Sequence, residues 1–257
     1  MQVDKRLKKR SALHSALYWL LALGLWQIYS NFVPAYLIPS PIAVLTRLID
    51  FLSDAELAFA LALSLFHVFS AIVIAFCLGG LFAFLPVVLP ITEFLVDKRL
   101  TPFLSAFSGI GWLFMAILWF GIDSGTVIFT VAMVLTPFAI VNLRTGLLEL
   151  DRDLLELGRS IHRSRFREFK KIVVPMLAPY GFATLRTSFG VSWKVVLTAE
   201  LFGGSGGMGY LLNAARQEFD TETIFAVIVF MVLFVALSEM LFFRKIQAKI
   251  DARYGHE

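Results

Sequence analysis

The stretch LAFALALSLFHVFSAIVIAFCLGGLFAFLPVVLPIT, residues 57–92, contains no Asp, Glu, Lys or Arg. A helix crossing a bilayer needs about 20 mostly apolar residues, because each residue rises 1.5 Å through a hydrocarbon core of roughly 30 Å. Residues 57–92 exceed that length, so a helix over 58–85 crosses with tilt or continues past the membrane. Working outward, five further segments meet the same requirement, at 14–33, 100–120, 126–143, 176–200 and 223–243. The expected fold class is therefore all-α, a polytopic membrane protein with about six transmembrane helices. Composition agrees: the 257 residues are 58% hydrophobic and only 16% charged, where soluble domains carry roughly a quarter charged residues. The basic N-terminus followed by apolar residues resembles a secretory signal. The charge-free run from Ser11 to Thr46 is too long for one, and reads as an uncleaved first span.

The positive charges set the orientation, because Lys and Arg near helix ends stay in the cytoplasm. They gather in the N-terminal tail (Lys5, Arg6, Lys8, Lys9, Arg10), at Lys98 and Arg99, through residues 144–171, and at Arg244, Lys245, Lys249 and Arg253. The alternate loops are acidic instead, with Asp50, Asp54, Glu56, Asp123, Glu218, Asp220 and Glu222. Both termini and the loop 144–171 are expected in the cytoplasm. The chain is expected to form a single transmembrane domain over 1–257, with tails at 1–13 and 244–257. The net charge of +4 belongs to these loops rather than to a nucleic-acid partner. One cysteine, Cys77, forms no intrachain disulfide and reads as a packing residue. Four scattered histidines offer no metal-ligand spacing.

Within the cytoplasmic loop, Leu150, Leu154, Leu157 and Ile161 recur at helical spacing and share one face. His162-Arg163-Ser164 makes a turn, Ser164 can cap a second short helix, and Pro175 marks entry to the fifth span. Pattern alone leaves two readings open, a helix lying on lipid headgroups and a docking surface for a partner.

The segment from Leu154-Leu155-Glu156-Leu157-Gly158-Arg159-Ser160-Ile161-His162-Arg163-Ser164 to Pro175 resembles the "EAA" loop of binding-protein-dependent ABC importer permeases, and so favours docking. Glu156 matches the family's glutamate, Leu157 and Gly158 its two alanines, and Pro175 its closing proline. His162 departs from the pattern, standing where the family has glycine, in a turn that favours a left-handed backbone. Further likenesses are Leu37-Ile38-Pro39-Ser40-Pro41, Trp119-Phe120-Gly121, Ser192-Trp193, Ala199-Glu200 and Gly207-Met208-Gly209-Tyr210, which resemble the branch importing nitrate, sulfonates and taurine. The third span departs at Phe114, where the family has proline.

The resemblance implies a type I importer permease in a bacterial inner membrane. It would pair with a second copy, be driven by two ATPase subunits that use ATP and Mg, and receive a small solute from an external binding protein. The chain itself would bind no cofactor and carry no catalytic residue. Its ATPase-coupling residues would be Glu156, Leu157, Gly158, Ser160, Ile161, His162, Arg163 and Ser164.

Arg186, Lys194 and Glu200 are ionisable residues inside the fifth span, where exposure to lipid costs several kcal/mol. Together with Trp193 they are candidates for a translocation pathway. Arg186 and Lys194 either attract anions there, or belong to an internal salt bridge with Glu200, or snorkel near a boundary. His67 reads as a helix-interior packing residue.

Gly204-Ser205-Gly206-Gly207-Met208-Gly209 satisfies G-x-G-x-x-G but lies after a membrane helix, outside any βαβ unit, and reads as a flexible turn. The chain contains no G-x-x-x-x-G-K-[ST] with which to cradle ATP phosphates. Gly203-Gly204-Ser205-Gly206 is similar to the GxSG of intramembrane serine proteases, but His14 and His67 lie upstream and His256 lies in the tail, leaving no downstream base. A stand-alone channel or ion-coupled carrier is the other alternative; it usually carries an internal repeat, and none is visible.

Overall fold

The computed structural model describes residues 18, 20–34, 36–150, 169–243 and 245–247. Glu156 to Ser164, the expected coupling residues, lie outside the described residues. The described residues group into two compact units. One comprises those up to Ala58 with Leu212–Val232, and the other Phe59–Leu211 with those from Leu233 onward.

In the first unit, α1 (Leu20–Ser30) and α2 (Pro41–Leu52) are joined by the Pro39-Ser40-Pro41 segment. Its chemistry is that of a helix start. Ser40 Oγ accepts from the Ala43 amide at 3.1 Å, and Pro41 sits in the first turn, where its missing N–H costs nothing. Trp26 Nε1 donates to the Pro39 carbonyl at 3.1 Å, and its ring packs 5.8 Å from that of Phe225.

α3 (Ala55–Val88) is 34 residues long. At 1.5 Å per residue it reaches about 51 Å, longer than the hydrocarbon core. The third expected span is not continuous. It breaks between α4 (Pro90–Ala106) and α5 (Gly109–Phe120), which meet at 83°. Phe107 and Ser108 are extended, with ψ of 129° and 140°, which ends one helix and caps the next. The Phe107 ring stacks 4.6 Å from Trp112, so aromatic packing holds the bend without a proline at Phe114.

α6 (Ser124–Leu148) and α7 (Val174–Gly203) form the centre of the second unit. They run antiparallel in close contact at both ends. A Cβ on Gly203 would lie 2.9 Å from Thr126 Cγ2, and one on Gly146 would lie 2.6 Å from Tyr180 Cγ. Small residues let helix backbones approach where lipid gives no hydrophobic drive. The hydroxyls of Thr130, Thr136 and Thr184 donate to carbonyls one turn back, at 2.7–2.8 Å, satisfying themselves within the helix. α7 bends by 50° into α8 (Met208–Gln217), and α9 (Thr221–Ser238) runs on through a π-type turn, Glu239–Phe243.

Among the described residues, three helices are long and apolar enough to cross a membrane, and the two bent pairs bring the number to five. α1 is a sixth, shorter apolar helix, and the residues before Tyr18 lie outside the described ones. Large apolar side chains such as Phe59, Phe66, Phe69, Val73, Ile228 and Val232 point outward, as lipid-facing residues do. Cys77, expected in the packing, is exposed as well.

Candidate functional site

α7 carries chemistry on two faces. On the closed face Glu200 is fully buried, and its carboxylate accepts three hydrogen bonds. His67 Nδ1 donates to Oε1, while Ser64 Oγ and the Gly209 amide donate to Oε2, each at 2.8 Å. Ser64 Oγ in turn accepts from the Met208 amide at 2.8 Å. A buried carboxylate is tolerable only when its lone pairs are satisfied in this way. Ser64 and His67 are three residues apart on α3, so one helical face presents both donors.

The glycines after α7 are dictated by the same carboxylate. Gly207 has φ +103°, and a Cβ there would lie 2.4 Å from the Glu200 carboxyl carbon. A Cβ on Gly209 would lie 2.2 Å from the Leu197 carbonyl oxygen. The expected flexible turn is thus a packed one, wrapped on Glu200, with Gly207, Met208 and Gly209 buried.

On the open face, Ala183, Thr187, Gly190 and Val191 form a stripe of small side chains flanked by Arg186 and Lys194. With Glu239 and Gln247 they line a groove of about 620 Å³. Arg186 Nε donates to Glu239 Oε1 at 2.7 Å, and Nη2 donates to the same oxygen. The side chains of this pair are 41% and 36% exposed, so the pair is not sealed within the unit. Lys194 is exposed, and no acid lies within ion-pair distance of it among the described residues.

At the other end of the unit, the feet of the loop 144–171 are fixed. Arg144 is nearly buried, and Nη2 reaches Glu93 Oε1 at 2.8 Å and Asp97 Oδ2 at 3.3 Å. Tyr180 Oη donates to Glu149, tying the C-terminal end of α6 to α7.

The four residues expected along a pathway are therefore divided. Arg186 and Lys194 line the groove. Trp193 is buried between Phe189 and Phe234, at centroid distances of 5.8 and 5.3 Å, and Glu200 is closed within its network. The alternative salt bridge from Arg186 or Lys194 to Glu200 does not form, because Glu200 faces α3 and Arg186 faces Glu239. His67 is more than packing: it is a partner of Glu200, with Nε2 lacking a hydrogen-bond partner among the described residues. Glu239 and Ser64 were not singled out in the sequence. Glu239 is the only acid between Thr223 and Phe243, and a lone acid inside a span calls for a polar partner or water.

Residues 23–254 match the family described as binding-protein-dependent transport system inner membrane component. A Bacillus subtilis (strain 168) protein named for aliphatic sulfonates transport, the permease SsuC, is 26% identical over 82% of this chain and 77% of its own length. The SsuC permease of Escherichia coli (strain K12) is 27% identical over 86% of each chain. The bicarbonate transport system permease CmpB of Synechocystis sp. is 27% identical over 53% of this chain and 50% of its own. The inward-facing MetNI methionine ABC transporter shares the fold, with a TM-score of 0.58 at 19% identity over 74% of this chain and 92% of that one. The chain belongs to the family of binding-protein-dependent transport system inner membrane components, and is the permease subunit of an ABC importer whose ATPase is a separate subunit.

Proposed function

We propose that the chain acts as one of two identical permease subunits importing a small anion, with both termini cytoplasmic. An external binding protein delivers the solute, and two ATPase subunits, using ATP and Mg, seat the segment Glu156–Ser164. When ATP closes the ATPases, the segment moves and the helices rock from inward- to outward-facing; hydrolysis resets them. The solute class rests on relatives named for sulfonates and bicarbonate and on the cationic groove of α7.

The observation that carries this reading is the segment Leu154–Pro175, which joins a glutamate, an apolar helical face and a turn inside the most basic loop of the chain. The residues flanking it are held by Arg144 and Tyr180, so a push on the loop reaches α6 and α7. A charge-reversing Glu156→Arg, or His162→Ile at the turn, is expected to abolish solute uptake and transport-linked ATP hydrolysis while the permease still reaches the membrane. Co-purification with the ATPase and vesicle uptake measure both, and wild-type uptake in either variant removes the assignment.

A further inference from the structure

We infer that Lys194 is the residue that selects for negative charge in the groove of α7, and that the groove takes a small oxyanion of the sulfonate or carboxylate class. The inference deepens the pathway reading proposed above and rests on it. Two cations line the groove, and they are not equivalent. Arg186 is neutralised at contact distance by Glu239, so its attraction for a passing anion is largely cancelled. Lys194 has no such partner among the described residues, and its ammonium is exposed. An unpaired lysine in the interior of a 30-residue apolar helix cannot face hydrocarbon without a cost of several kcal/mol. It is accommodated if the groove is filled with water, and a water-filled groove with one uncompensated positive charge concentrates anions.

The lining fits a ligand that passes close to the helix backbone. Ala183, Thr187 and Gly190 present little side chain, and a Cβ on Gly190 would meet nothing within 4 Å. A volume of about 620 Å³ admits a small hydrated solute. Lys194 and Arg186 are eight residues apart, about 12 Å along the axis, and Arg186 is held by Glu239. They serve successive positions, with Lys194 on the side of the Gly203 end. A lysine is a compact point charge with three freely turning donors, tolerant of differently shaped oxyanions where an arginine fork favours planar ones.

The test places a reporter thiol in the groove of the full permease in membrane vesicles. In a Cys77→Ser background, Gly190→Cys is reacted with a sulfonatoethyl and with a trimethylammonioethyl methanethiosulfonate, each rate normalised to a free thiol in solution. The anionic reagent is expected to react about tenfold faster, the difference falling toward unity with Lys194→Gln and persisting with Lys194→Arg. Thr187→Cys, exposed on the same face, provides a second reporter should Gly190→Cys fail to fold. Reaction with both reagents at a ratio that Lys194→Gln leaves unchanged overturns the assignment to Lys194 while leaving a water-filled pathway standing. If neither reagent reacts but a membrane-permeant maleimide does, the groove is dry or covered by a partner copy, and the pathway reading falls together with the inference.

Discussion

Glu200 and Glu239 are two carboxylates of one compact unit, each paired with a side chain from another helix, and they differ in almost everything else. Glu200 is sealed, with its oxygens occupied by His67, Ser64 and the Gly209 amide. Glu239 is more than a third exposed and shares one oxygen with Arg186 beside an open groove. α7 supplies one member of each pair, Glu200 and Arg186, about 21 Å apart along its axis. A sealed pair fixes where a helix stands, because neither member can leave without stranding the other in a medium of low dielectric. A hydrated pair can exchange its partners for water or for an anion at little cost, as a transport path requires. The same ionisable chemistry anchors on one side and remains negotiable on the other, and burial decides which.

The comparison breaks most sharply at the sealed end. Glu200→Ala strands three buried donors and should lower stability by about 3–5 kcal/mol. Gly207→Val, which places a β-branched side chain at φ +103° against the carboxylate, should do comparable damage. Detergent thermal unfolding followed by size-exclusion recovery measures both, and a variant that survives like the wild type removes the anchoring role. At the open end, Arg186→Gln or Glu239→Gln should cost less than about 1 kcal/mol in the same assay, as the water-filled groove inferred above requires. Removing Glu239 should nonetheless strengthen anion attraction in the groove, and the reversed pair Arg186→Glu with Glu239→Arg should recover stability. An effect as large as that of Glu200→Ala would erase the distinction.

The smallest effect extends the contrast to a carboxylate outside the spans. Burial raises the Asp220 carboxyl, but the Thr223 hydroxyl and amide, the Arg47 charge and the Glu222 amide outweigh it and hold the pKa below the ordinary carboxylate value. A depressed pKa means that Asp220 contributes stability above the usual carboxylate range and loses it as pH falls through the folded value. Unfolding midpoints of wild type and Asp220→Asn should therefore differ slightly near neutrality and converge in acid. A difference that grows on acidification would contradict the sign.

How much was legible in the sequence follows the same physics. Charge-free runs such as residues 57–92 announced spanning helices because lipid forbids the alternatives. The Pro39-Ser40-Pro41 motif, singled out as a likeness, became a helix cap for reasons any helix start shares. The bend at Phe107–Ser108 was hidden, since the break itself holds no glycine or proline and the Phe107 ring lies against Trp112 and over the bare Gly111. Arg186 and Lys194 stood out as charges within a span, but their fates did not. Arg186 is matched by Glu239, 53 residues away, and Glu200 by Ser64, 136 residues away. Such pairings belong to the packing of helices, which periodicity within a single segment does not encode. The requirement itself was visible, however: each ionisable group in a span needs a partner or water, and Ser64 and His67 were the polar pair on an apolar helix able to supply it.

The tie between Tyr180 and Glu149, with the bare contact of Gly146 against the Tyr180 ring, makes the roots of α6 and α7 one stiff stem. In the coupling proposed above, a turn delivered at this base is shared by both helices, and Lys194 stands some 30 Å from the start of α7. Loosening that clasp would, in the same coupling, leave every residue of the groove in place and separate it from the loop.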